Sequence, residues 1–230
     1  AATPVGVTLS TEVLKAREAP GKPEGVELTG KYVVLRPLRE SDIEPLYAVS
    51  NGSAVELDEQ RQCDAYDAEE KVWKYMFYSP QGSLGDFRDM VEWQDRDPMG
   101  RQFVVLDKGT DRPIGIVCMM NNHPAHLKME LGSIWYSPVA QKTWANTEAT
   151  FLLASHIFGT LGYRRLEWKC DALNMRSRSA AKKLGFTFEG VQDAHFIYKN
   201  RNRDTAWFRI LCSEWPVVKE QLVARMNATR

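Results

Sequence analysis

The order strand, turn, helix, strand between Met129 and Cys170 narrows the fold of this chain more than any other feature. Met129–Tyr136 reads as a strand, and Ser137-Pro138 follows it. A helical segment then places Ala149, Leu152, Leu153 and Ile157 on one face, and Gly159 with Gly162 stops it before the apolar run Leu166–Cys170. A crossover of this kind joins strands that run the same way, so Met129–Tyr136 and Leu166–Cys170 are expected parallel in one sheet. The turn has a chemical consequence. The first N–H groups of a helix lack intrahelical partners and lie at the positive end of its dipole, which makes this junction an anion site suited to a pyrophosphate.

The rest of the chain supplies further strands and helices. Tyr32–Leu35 reads as a first strand, and Ser41-Asp42-Ile43-Glu44 has the spacing of a capping box that starts a helix. Between Ala68 and Trp93 the apolar residues recur at helical spacing around the break Ser79-Pro80-Gln81-Gly82, which predicts two helices and a turn. Phe103–Leu106 and Ile114–Met119 read as an antiparallel hairpin. A short helix over Ser177–Leu184 ends at Gly185. Strands are expected at Thr187–Val191, His195–Tyr198 and Thr205–Cys212, with a final helix after Ser213 that tolerates Pro216 in its first turn. The fold class is α/β, a mixed and mostly antiparallel central sheet with one parallel strand pair and flanking helices. Residues 1–27 read as an arm and 28–230 as one domain.

Charge and cysteine content exclude several functions. Thirty basic and thirty acidic residues leave no net charge, so the broad attraction of a nucleic-acid binder is missing and no nucleic-acid partner is expected. Cys63, Cys118, Cys170 and Cys212 are far apart, with no CxxC pair and no histidine at ligand spacing, so no metal site is expected. Cys118, Cys170 and Cys212 each fall in an apolar run and read as buried free thiols, which points to a cytoplasmic location. No long apolar run marks a signal or a membrane span in Ala1–Gly30, and no membrane partner is expected.

Four motifs carry a resemblance: the strand Glu130–Trp135, the turn Gln141-Lys142-Thr143-Trp144-Ala145-Asn146, the run Asn174-Met175-Arg176-Ser177, and Gly185-Phe186. Together they resemble the GCN5-related N-acetyltransferases, especially the branch with the ribosomal-protein N-terminal acetyltransferases, over about residues 30 to 212. The resemblance implies acetyl-CoA as cosubstrate and direct attack of a primary amine on its thioester. It implies that the backbone of Ile134, Trp135 and Tyr136 pairs with the pantetheine arm, on a strand that splays from its parallel neighbour. It also implies that Gln141, Lys142, Thr143, Trp144, Ala145, Asn146 and Thr147 surround the pyrophosphate. The family keeps small residues where Trp144 and Asn146 stand, and two readings follow. In one, Thr143, Lys142 and backbone N–H groups take the diphosphate while Trp144 points outward or stacks on the cofactor. In the other, Trp144 fills the site and the chain is a non-binding relative.

Glu130 stands where the family carries a general base, because an ammonium must lose a proton before it attacks; the plain alternative is a strand glutamate in a salt bridge. Asn174 and Ser177 match the pair that holds the pantetheine arm and protonates the leaving thiolate, and Asn174 is equally an N-cap. Tyr198 and Asp171 are weaker candidates for acid and relay. His156 reads as a packed histidine, and Arg176, Arg178, Lys182 and Lys183 as a solvated face within reach of the 3′-phosphate. The implied acceptor is a small-molecule amine or amino-acid-like compound. The alternatives are a peptide N-terminus, or a non-catalytic sensing or interaction role, and a homodimer is left open.

Overall fold

The computed structural model describes residues 6–228. The arm expected over residues 1–27 is therefore described from Gly6, and its first five positions lie outside the described residues. Within these residues lies α1 (Thr11–Lys15), where the Ser10 hydroxyl accepts the Val13 N–H at 3.3 Å. Strands β1 (Leu28–Thr29) and β2 (Val33–Pro37) follow, the second covering the first strand read from the sequence.

A helix does start near Ser41, as a 3-10 turn over Glu40–Asp42 leading into α2 (Ile43–Ala48), but its cap differs from the one predicted. The Asp42 carboxylate, not the Ser41–Glu44 pair, accepts the Arg39 N–H at 2.8 Å. Asp42 also takes both ends of the Arg36 guanidinium, at 2.6 and 2.7 Å, so a buried ion pair fixes it at the helix entry. Strands β3 (Val55–Asp58) and β4 (Arg61–Cys63) form a separate two-stranded ribbon. The two helical segments expected next are a π-helical turn over Glu69–Trp73 and α3 (Leu84–Asp95), capped by the Ser83 hydroxyl.

Strands β5 (Arg101–Asp107) and β6 (Arg112–His123) form the expected hairpin, and β7 (Lys128–Tyr136) extends the sheet. Then come α4 (Ala145–Ser155), which continues into a π-helical turn over His156–Thr160, β8 (Arg165–Asp171) and α5 (Met175–Lys183). The chain ends in β9 (Thr187–Tyr198), β10 (Arg201–Leu211) and α6 (Trp215–Asn227), with Pro216 in the first turn of α6 as expected. Eight strands form one sheet in the order β1-β2-β5-β6-β7-β8-β10-β9. The predicted parallel pair is β7 with β8, registered from Lys128 opposite Arg165 to Leu131 opposite Trp168. The mixed sheet with flanking helices is the fold class read from the sequence.

Two details depart from that reading. The strands expected at Thr187–Val191 and His195–Tyr198 are one strand, β9, in which Ala194 adopts a left-handed φ of 50° and the register against β10 shifts. A bulge of this kind bends a strand without ending it. Cys118 and Cys170 are buried free thiols, with burial pushing the Cys118 thiol up to about 12, but Cys212 is exposed because β10 ends one residue before it.

Contacts divide the chain into two compact units, one of residues 22–119 with 132–149 and one of residues up to 21 with 120–131 and 150 onward. In the first, the Trp135 ring lies 5.3 Å from Trp73 and 6.4 Å from Phe87, within a core that includes Ile43, Leu46, Val91 and Ile116. Gly115 is required there, since a Cβ would sit 2.3 Å from the Trp135 carbonyl oxygen. In the second, Trp215 packs against Phe151 and Phe158 at 6.3 and 5.3 Å, and Trp168 against Phe186 at 5.5 Å. Gly185, at φ 90°, ends α5 and leaves room for Val218. No helix of the described residues is long and apolar enough to cross a membrane.

Candidate active site

The turn before α4 is built from its own side chains. The Thr143 hydroxyl donates to the Ala140 carbonyl at 2.7 Å and accepts the Ala145 N–H at 3.2 Å, so it caps the helix. The Gln141 amide donates to the carbonyls of Tyr136 and Lys71 at 3.0 and 2.9 Å, tying the turn to the end of β7. Lys142 is exposed in a left-handed conformation, φ 62°. Trp144 stacks on Tyr32 with ring centroids 6.3 Å apart and an interplanar angle of 25°. Glu148, 4% exposed in the first turn of α4, accepts the N–H groups of Lys31, Tyr32 and Val33 at 2.8, 2.6 and 2.8 Å.

These residues fit a diphosphate in part. An 11-residue helix presents its first turn, with the Lys142 ammonium beside it in sequence. The Asn146 Oδ1 is buried and accepts no hydrogen bond in the structure. Turned about its last torsion, that amide would offer an N–H to a ligand oxygen instead. Of the residues expected at the pyrophosphate, Thr143 already spends its hydroxyl inside the turn, and Gln141 its amide N–H groups on the Tyr136 and Lys71 carbonyls. On β7, Trp135 and Tyr136 are buried and Ile134 is half-buried, and Ser133 has a left-handed φ of 49° in mid-strand. Burial drives the Tyr136 phenol far above its ordinary range, and its hydroxyl has no hydrogen-bond partner in the structure.

In the other unit, alternation along β8 puts Arg165, Glu167, Lys169 and Asp171 on one face, with Glu130 of β7 directly opposite Glu167. Glu130 is 5% exposed, and its Oε2 accepts from the Asn121 amide at 2.7 Å and the Lys169 ammonium at 2.8 Å. Lys169 also lies 3.6 Å from Glu167 and 4.1 Å from the Trp207 ring centre. One primary ammonium is thus held between two buried carboxylates and an indole face. Asn121 and Lys169 were not singled out in the sequence; the period-2 charges of β8 are the signal that could have found Lys169.

On the opposite face of β8, Ser177 accepts the Trp168 indole N–H at 3.0 Å and contacts the Cys170 thiol, whose titration burial raises. Asn174 is the N-cap of α5, accepting the Ser177 N–H at 3.0 Å, which leaves its amide N–H groups for a ligand. Arg178 donates to the Ala172 carbonyl at 2.9 Å, while Arg176, Lys182 and Lys183 are exposed. His156 is half-buried in the π-helical turn after α4.

The weaker pair turns out to be joined. Tyr198 donates to the buried Asp171 carboxylate at 2.8 Å, and Arg201 contacts both. Burial and that carboxylate push the Tyr198 phenol up to about 12. Burial works to raise Asp171 as well, but the Leu173 N–H, Arg201 and Tyr198 outweigh it and hold Asp171 below the usual carboxylate range. His195 on β9, also not singled out in the sequence, makes tilted ring contacts with Phe196 and Trp207 at centroid distances of 3.8 and 5.9 Å.

Comparison with known proteins decides the family. The sequence matches the acetyltransferase (GNAT) domain over residues 33–187, more than half of the chain. The chain belongs to the GNAT acetyltransferase family. A solved GCN5-related N-acetyltransferase from Brucella melitensis is 36% identical, with 88% of this chain and 86% of that one covered and a TM-score of 0.77. A probable GNAT-family acetyltransferase from Chromobacterium violaceum is 29% identical, with 93% and 98% covered and a TM-score of 0.78. Among curated proteins, the spermidine N(1)-acetyltransferase of Escherichia coli is 24% identical over 172 residues, 75% of this chain and 82% of that protein. As a GNAT protein, the chain is an N-acetyltransferase that uses acetyl-CoA.

Proposed function

We propose that this GNAT enzyme acetylates a primary amine of a small polycationic acceptor, of the polyamine kind, by direct attack on the thioester. The observation that carries the reading is the seat of Lys169. The Glu130 and Glu167 carboxylates and the Trp207 indole hold the protein's own alkylammonium, that of Lys169, and such a face suits a polyamine; the curated relative named as a spermidine acetyltransferase supports the same acceptor class. A protein N-terminus, the acceptor of the branch resembled in sequence, carries one ammonium rather than several and makes less use of such a face.

In this reading the α4 turn takes the pyrophosphate through first-turn N–H groups, Lys142 and Asn146. Glu130 faces the acceptor ammonium and lowers the cost of bringing it out of water, its share in deprotonation depending on release from Lys169. The departing thiolate takes a proton from Ser177 or from the Tyr198 phenol, which stays protonated at neutral pH. The test is release of CoA thiol from acetyl-CoA across a panel of polyamines, amino acids and peptides with free N-termini. Polyamines should give the highest kcat/KM, and Glu130→Gln should lower it most for the most highly charged acceptors. Equal rates with peptides and polyamines would refute the acceptor class.

A further inference from the structure

His195 has a use that a packed histidine would not need. Its Nδ1 is buried and has no hydrogen-bond partner in the structure, although the ring lies near those of Phe196 and Trp207. Most buried polar atoms are satisfied, and an exception is met by ordered water, an ion, a ligand or a chemical role. Trp207 connects it to the carboxylate face, since the same indole carries Lys169, which in turn pairs with Glu130. Glu130, meanwhile, is a compromised base, because its Oε2 is occupied by the Lys169 ammonium and the Asn121 amide.

We propose that His195 is a further catalytic residue, taking the proton from the acceptor ammonium through Nδ1. The inference rests on the amine-acetylation reading above. The acceptor R–NH₃⁺ gives one proton to Nδ1 and becomes R–NH₂, whose lone pair forms the N–C bond at the thioester carbon. The C–S bond then breaks, the thiolate takes one proton, the new amide nitrogen loses another, and imidazolium returns its proton to solvent. One proton is released per turnover.

The surroundings keep the imidazole able to accept. Burial lowers its titration first, and the positive charges of Lys169 on β8 and Arg203 on β10 lower it further, against an opposing pull from Glu130 on β7. The ring is therefore neutral at pH 7, with a basic nitrogen available.

The experiment compares wild type, His195→Asn and His195→Ala in acetyl-CoA-dependent acetylation of spermidine between pH 5 and 9. Circular dichroism serves as the folding control. Wild-type kcat/KM should fall on the acid side with an apparent pKa below about 6.5. His195→Asn should lose about 10²–10⁴-fold and that bend. Added imidazole should restore part of the His195→Ala rate, which a packing defect would not permit. A His195→Asn enzyme with the wild-type acid limb, or an alanine variant indifferent to imidazole, would overturn this inference alone. Wild type releasing no thiol with any amine would overturn it together with the parent reading.

Discussion

Replacing Glu148 with alanine is expected to cost about 3–5 kcal/mol of folding stability, from the backbone hydrogen bonds and the helix-end charge that its carboxylate supplies. The carboxylate is 4% exposed and is the acceptor for three consecutive backbone N–H groups at 2.6–2.8 Å. The Val33 N–H is fully buried, so leaving it without an acceptor costs about 1–3 kcal/mol. Those of Lys31 and Tyr32 are partly buried and recover some hydration, leaving about 1 kcal/mol each. Loss of a negative charge in the first turn of α4 adds about 0.3–1 kcal/mol. Glutamine keeps one acceptor oxygen but sets an amide N–H against the remaining donors, and should fall midway. With a urea m-value of about 2–3 kcal/mol/M, the alanine midpoint should drop by about 1–2.5 M. Because the same contact anchors the turn before α4, the dissociation constant for acetyl-CoA should rise in both variants. An alanine midpoint within about 0.3 M of wild type would show that the carboxylate is not the strut described, and would refute the reasoning.

Gly115→Ala should destabilise the protein by several kcal/mol or abolish its expression, since the new methyl has backbone on one side and the Tyr136 ring on the other; a melting temperature within about 2 °C of wild type would show that the close approach can relax. Lys169→Met should move the acid limb of the pH–rate profile to higher pH. Lys169 is one of the charges that depress His195, and without it the upward pull of Glu130 is opposed only by burial and Arg203. A limb that stays put or moves down would contradict the link. Trp144→Ala should change acetyl-CoA affinity by less than about 10-fold, about 1.4 kcal/mol, because the indole rests on Tyr32. Cofactor binding that appears only in the alanine variant, by calorimetry, would mean that the indole obstructs the site.

The fold was legible wherever burial imposes a pattern. The apolar runs that became β5, β6, β7 and β8 are buried on both faces or nearly so, and a crossover helix leaves only a parallel arrangement for β7 and β8. Strand β9 was not legible as one strand. It lies at the sheet edge with most residues exposed, so no alternation reports it, and the left-handed Ala194 mimics a break. The α2 cap was misplaced for a similar reason: a capping box is a local pattern, whereas Asp42 is chosen by its tertiary partner Arg36.

The site divides in the same way. Asn174 was readable because capping is local, and Glu130 because it sits in a strand of recognisable order. Thr143 and Gln141 were readable as turn residues but not as groups already committed to partners in the protein. Glu148, Lys169, Asn121 and His195 matter only through contacts far away in sequence, such as Glu148 with Lys31 to Val33 or Lys169 with Trp207, and no spacing rule anticipates them.

The most direct test of the account is the stoichiometry of CoA thiol to acetylated amine when wild-type enzyme, acetyl-CoA and spermidine are mixed at neutral pH, with the product read by mass spectrometry. The account predicts saturable, spermidine-dependent thiol release with one N-acetyl product for each thiol. Tight acetyl-CoA binding with no amine-dependent thiol release, from spermidine or any other amine, would contradict it.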